Sequence, residues 1–169
     1  MTTTESSPTA TTVQMNRIYI KASAQAIWDA ITQPEWTEKY GYGGRVEFDL
    51  RPGGAYRSIA NADMQAAGMP EVVVDGEVIE ADPPHTLVQT WRACWTNEPA
   101  TRLTYSISEK ANGVCCLTVT HDLTDAPATA AMVAGTVEGA GGGWAEVISD
   151  LKTLLETGTS LSSLGVPGV

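Results

Sequence analysis

At 169 residues, with 43% hydrophobic and 18% charged positions, the chain is sized for one globular domain with its own core. Ten Lys and Arg against twenty Asp and Glu leave a formal net charge of -10. That balance excludes a phosphate-neutralising nucleic-acid binder and adsorption to an anionic membrane surface.

The first predicted segment, residues 1–12, is a Thr/Ser-rich tail with little to bury, and disorder is expected there. It has neither the basic region nor the apolar run of a secretory signal. No apolar stretch anywhere approaches the roughly 20 residues of a membrane span, so no membrane insertion and a cytoplasmic location are expected.

Residues 15–21 read as a first strand, with Ile18 and Ile20 in phase. Ser23 is a helix N-cap ahead of Ile27, Trp28 and Ile31 at helical spacing. Pro34 ends that helix and opens a second short one through Tyr40. A Gly41–Gly44 turn leads into a hairpin, 46–50 and 55–59, around Pro52-Gly53-Gly54. Residues 61–70 are expected to form a polar loop carrying Met64 and Met69. Two longer strands follow, 72–81 and 87–95, and then a hairpin, 101–109 and 114–121, around Asn112-Gly113. The stretch 123–143 is rich in Ala, Thr and Gly, with marginal helix around 128–137. Residues 159–169 are a flexible Gly/Ser/Pro tail.

The clearest pattern is the last helix, 143–156. Trp144, Val147, Ile148, Leu151, Leu154 and Leu155 gather into one apolar stripe. The only apolar surface for it to cover is the sheet formed by the preceding strands. Strands and helices segregated in this way predict an α+β fold, not an alternating α/β one. A curved antiparallel sheet with a helix across its mouth encloses a cavity, so the chain reads as a container.

Several local patterns in this order resemble the START-like superfamily (SRPBCC, Bet v 1-like or helix-grip). Within it, the chain is similar to the branch named for the Hsp90 ATPase activator homologues. The residues that carry the resemblance are Ser23 to Ala30 of the first helix, Arg51-Pro52-Gly53-Gly54-Ala55-Tyr56-Arg57, Gly76 to Pro84, Leu87 to Trp91, Leu117 to His121, and Gly143-Trp144. Together they cover residues 15–157. The resemblance implies a curved antiparallel sheet of six or seven strands gripping the C-terminal helix, two short helices after the first strand, and an apolar cavity within a 13–158 domain. It does not fix an activity, because the superfamily includes lipid carriers, receptors, aromatase/cyclases and co-chaperone domains.

Strand alternation assigns faces. Leu87, Gln89, Trp91 and Trp95 share one side, set on the concave face with Tyr105, Leu117, Val119 and His121. Gln89, Tyr105 and His121 are then the polar groups that would orient a ligand in an otherwise apolar pocket. Each has a plainer role as a satisfied core residue, and for His121 the plain alternative is a solvated position at a strand end. Trp36 and Tyr40 are candidates for a rim, Met64 and Met69 for a second wall, and Trp144, Ile148 and Leu151 for the roof. For Trp144, core packing is the simpler account.

Chemistry-bearing motifs are absent from the sequence: no nucleophile elbow, zinc-helix signature, P-loop or dinucleotide fingerprint occurs. Cys94, Cys115 and Cys116 have no metal-ligand spacing and are expected to be reduced and structural. No metal and no cofactor are expected. The leading expectation is therefore binding of a small apolar, aromatic or lipid-like molecule without chemistry. The alternatives are a cyclase or dehydratase in which His121 and Tyr105 exchange protons with a bound substrate, and a chaperone-associated interaction module. A homodimer is compatible with the chain.

Overall fold

The computed structural model describes residues 12–161. One seven-stranded antiparallel sheet runs in the order β1-β7-β6-β5-β4-β3-β2. Its strands are β1 (Val13–Ile20), β2 (Arg45–Phe48), β3 (Ala55–Ile59), β4 (Val72–Asp82), β5 (Thr86–Ala93), β6 (Thr101–Glu109) and β7 (Cys115–Asp122). Helices α1 (Ala24–Thr32) and α2 (Pro34–Thr37) follow β1, α3 (Ala62–Ala66) follows β3, and α4 (Pro127–Val133) precedes the long α5 (Gly143–Thr157). The architecture is the expected α+β helix-grip fold: a curved sheet closed against a C-terminal helix.

Local chemistry explains the helix ends. The Ser23 hydroxyl accepts from the Ala26 N–H at 3.1 Å, satisfying one of α1's unpaired donors. The helix α5 ends at Gly158, whose φ of 79° gives the left-handed cap that side-chain-bearing residues resist. At its other end Gly143 has φ +65°, and a Cβ there would lie 2.1 Å from the Val133 carbonyl oxygen. Only glycine lets the first turn of α5 seat so closely on the end of α4.

Three segments differ from expectation, the first being α2, which stops at Thr37 and does not run through Tyr40. The loop after β3 contains α3, because the Asn61 side chain caps the Met64 N–H at 2.8 Å and nucleates a short turn of helix. The strand β5 stops at Ala93, not at Trp95. Its neighbour β4 offers one more carbonyl, from Val73 to the Cys94 N–H at 2.9 Å, and the chain then turns away. Residues 1–11 and 162–169 of the expected tails lie outside the described residues, while Ser160 is buried.

The core lies between the concave face of the sheet and helices α1 and α5. Ile20, Ile27, Leu87, Leu103, Leu117 and Val119 have no accessible surface. The buried positions of α5, Ile148, Leu151 and Leu154, follow the predicted stripe. Each such side chain contributes about 1.5–3 kcal/mol by leaving water. Among the described residues no helix is long and apolar enough to cross a membrane.

Candidate functional site

In-register pairing determines which side chains meet on the concave face. Gln89 lies opposite Leu103 and Val78, Tyr105 opposite Leu87 and Val119, and His121 opposite Leu103. The three polar residues singled out from sequence therefore stand on adjacent strands of one face, and they differ sharply in how their polar atoms are used.

His121 is fully buried and fully partnered. The Trp144 indole N–H donates to Nδ1 at 3.1 Å, and Nε2 lies 2.7 Å from the Thr101 hydroxyl. An indole N–H can only donate, so Nδ1 is the acceptor and the ring proton sits on Nε2. That proton goes to the Thr101 oxygen, and the Thr101 hydroxyl in turn donates to the Trp91 carbonyl at 2.8 Å. The rings of Trp91 and Trp144 meet the imidazole edge-on, at centroid distances of 5.3 and 6.0 Å. Burial drives the His121 pKa down to about 4, against a smaller opposing effect of Asp122. The residue is a neutral clasp between β7 and the first turn of α5, not a solvated strand-end histidine.

Tyr105 behaves differently. Its neighbours Leu87 and Val119 have no accessible surface, yet Tyr105 itself is only partly buried. Its ring packs edge-on against Trp144 at 6.0 Å. Its hydroxyl makes no hydrogen bond among the described residues. Desolvation, followed by the nearby Tyr56 and Tyr40 oxygens, raises its pKa well above the ordinary phenol value. Gln89 is fully buried; its Nε2 makes one long contact, 3.4 Å to the Thr90 carbonyl, and its Oε1 has no partner.

The remaining candidates divide into committed and uncommitted groups. Tyr40 is buried, and its hydroxyl donates to the Ala30 carbonyl at 2.8 Å, which fixes α1 to the following loop. Leu117, Val119, Ile148 and Leu151 are core. Trp36, Met64, Met69 and Trp144 are partly buried and pack against that core. Lys39 Nζ covers the Trp36 ring at 4.8 Å. Trp91 is buried, whereas Trp95 lies beyond β5, 40% exposed, with its ring edge against Trp91 at 5.9 Å. Cys94 is an exposed free thiol, and Cys115 and Cys116 are buried ones.

Sequence reasoning passed over four residues that shape this region. Tyr56 is buried beside the Trp91, Gln89 and Ser58 side chains, and the alternation of β3 was enough to place it inward. Thr101 is legible only through its pairing with Trp91. Asp150 is 3% exposed, and its carboxylate accepts from the Gly41 and Leu161 N–H groups at 2.8 and 2.7 Å. The signal for it was an acid set within the apolar stripe of α5. Glu98, in the β5–β6 connection, accepts from the Ala128 and Thr129 N–H groups and the Thr129 hydroxyl at 2.7–2.8 Å. It thereby caps α4 from a distance, where Ala126 offers no side-chain cap. Desolvation raises the Glu98 pKa, but these donors outweigh it and the net shift is downward.

Two surface clefts, of about 360 and 540 Å³, flank β4 and β5 near Asp75, Arg92 and Glu98. Neither is lined by a candidate residue, and Arg92 is held there in a two-pronged pair with Asp75. Among the described residues no group of three or more His, Cys, Asp or Glu is arranged to hold a metal ion.

Comparison with known proteins adds a family. A sequence model of the family described as Activator of Hsp90 ATPase homolog 1-like protein matches residues 21–156. A search of the curated proteins finds no match. Among solved structures, CalU16 from Micromonospora echinospora is similar at 20% identity and a TM-score of 0.53, over 69% of this chain and 63% of its own. DynU16, from the dynemicin biosynthetic locus, is similar at 19% identity and a TM-score of 0.64, over 88% of this chain. This chain spans only 48% of DynU16. An HSP90 activator from Plasmodium falciparum is similar at 17% identity and a TM-score of 0.53, over 90% of this chain and 92% of its own. At such identities the likeness is one of fold.

Proposed function

This chain belongs to the Activator of Hsp90 ATPase homolog 1-like family, and from that premise we propose that it binds a small apolar or aromatic molecule between α5 and the concave sheet. The observation that carries this reading is Tyr105. It faces inward between two fully buried neighbours, yet it keeps accessible surface and an unpartnered hydroxyl. An apolar interior with a few polar groups held out of water is the usual composition of a ligand site. Trp91, Gln89, Tyr105 and Trp144 form the proposed floor and roof, with Met64 and Met69 as an adaptable wall.

Binding is favoured over proton-transfer chemistry by the state of His121. A general base needs a free lone pair of suitable basicity. Here Nδ1 already accepts from Trp144, the Nε2 proton is directed at Thr101, and burial makes the ring a weak base. Activation of a chaperone ATPase rests on the family description alone. Thermal shift of the purified protein against fatty acids, polyketides and aromatic metabolites tests the reading. Saturable stabilisation by at least one apolar class is expected; no stabilisation across the panel contradicts it.

A further inference from the structure

We propose that two copies of this chain associate through their first strands, the β1 of one pairing antiparallel with the β1 of the other about a two-fold axis at Met15. The sheet has two edges, and they are built differently. At one edge β2 is four residues long, and its exposed Arg45 and Glu47 are paired with Glu38 and Arg57. Its Val46 N–H is taken by the Thr37 hydroxyl at the end of α2. Shortness, charge and a covering helix are how an edge is kept from pairing. The other edge, β1, is eight residues long and carries none of these over its first half.

Alternation along β1 decides which backbone groups are open. The Thr12 carbonyl accepts from the Leu123 N–H, so the even-numbered residues bond to β7. The odd-numbered residues turn their N–H and C=O groups outward, as the Tyr19 carbonyl does in accepting from Lys152 at 2.7 Å. Glu156 likewise accepts from the Lys21 N–H at 2.9 Å. Helix α5 thus closes the edge from the Tyr19 carbonyl onward. The outward groups of Val13, Met15 and Arg17 have no partner among the described residues. That open stretch is symmetric about Met15. With Met15 opposite the partner's Met15, and Val13 opposite the partner's Arg17, each outward N–H meets a carbonyl. Val13 and Met15, 47% and 59% exposed in the single chain, then lie at the seam.

Charge complementarity selects a second copy as the occupant. No Asp or Glu occurs between Glu5 and Asp29, so two molecules of net charge -10 meet at β1 without apposed acids. Val13 stands in register with Asp122 on β7, and both side chains lie on the face of the sheet opposite His121. The pairing therefore sets the partner's Arg17 two strands, about 10 Å, from the Asp122 backbone. An arginine and an aspartate side chain together span that gap. Asp122 holds the Thr124 N–H and hydroxyl through Oδ1, which leaves its second oxygen for the guanidinium.

Sedimentation velocity across a concentration series from about 1 to 300 μM is expected to show a monomer–dimer equilibrium. For so short a seam a Kd of about 10–100 μM is expected. Met15→Pro removes an outward N–H without touching the β7 ladder, and should weaken association about tenfold or more. Arg17→Glu, which sets like charge against Asp122, serves if the proline variant does not fold. Register is read by cross-linking in a Cys94→Ser background, which removes the exposed thiol. There Met15→Cys is expected to form a covalent dimer on mild oxidation, since directly opposed Cα atoms stand about 5.5 Å apart. Val13→Cys, about 14 Å from its own mate, is not. A monomer at every concentration leaves the edge to a strand of another protein and overturns the proposal. So does a dimer unaffected by the substitution used, or a Val13→Cys variant that cross-links as readily as Met15→Cys.

Discussion

Acidification should weaken this fold through one residue. His121 is neutral in the folded protein because burial lowers its pKa from 6.5 to about 4. The unfolded chain takes up its proton first as the pH falls. Stability is therefore fully present above about pH 6.5, is lost between about 6.5 and 4, and is lost no further through this group below about 4. The gap between 6.5 and about 4, at about 1.4 kcal/mol per pH unit, is worth about 3 kcal/mol. For a domain of ordinary stability that is a large fraction of the total. The structural reason is specific: a proton on Nδ1 would face the Trp144 indole N–H across 3.1 Å, donor against donor. Urea unfolding at half-unit steps from pH 7.5 to 4 measures the effect against His121→Gln, whose amide both accepts and donates but does not titrate. The wild type should lose about 2 kcal/mol more than the variant by pH 5, and about 3 by pH 4. Parallel curves for the two proteins would refute the claim that a neutral histidine clasps α5 to β7.

Two further substitutions test the supports of the site. Removing the Glu98 carboxylate (Glu98→Ala) should cost about 1 kcal/mol, as loss of a helix cap does, and amide exchange should accelerate at Ala128 and Thr129 with little change in β4. Asp150→Ala leaves the Gly41 and Leu161 N–H groups without their acceptor and should destabilise by about 2–4 kcal/mol in urea unfolding; a variant as stable as the wild type would remove Asp150 from the account.

How much of this was legible depended on whether the signal was periodic. The stripe from Trp144 to Leu155 and the alternation of β5 to β7 fixed the architecture, because a core imposes one spacing on a helix and another on a strand. The same alternation put Gln89, Tyr105 and His121 on one face before any coordinates. What periodicity could not show was the state of each polar atom. That His121 is clasped by Trp144 and Thr101 while Gln89 Oε1 is left open depends on distances between elements far apart in the chain. The cap that Glu98 places on α4, thirty residues onward, has the same origin. Segment ends were missed where a single side chain decided them, as Asn61 does for α3.

The most direct measurement is a ¹H–¹⁵N spectrum of the five tryptophan indoles, recorded as a stabilising compound from the panel is added. Occupation of the grip predicts saturable shifts at Trp91 and Trp144, with Trp28, on the buried face of α1, unmoved. Shifts confined to the outward Trp95, or no shift at any indole despite saturation, would contradict it.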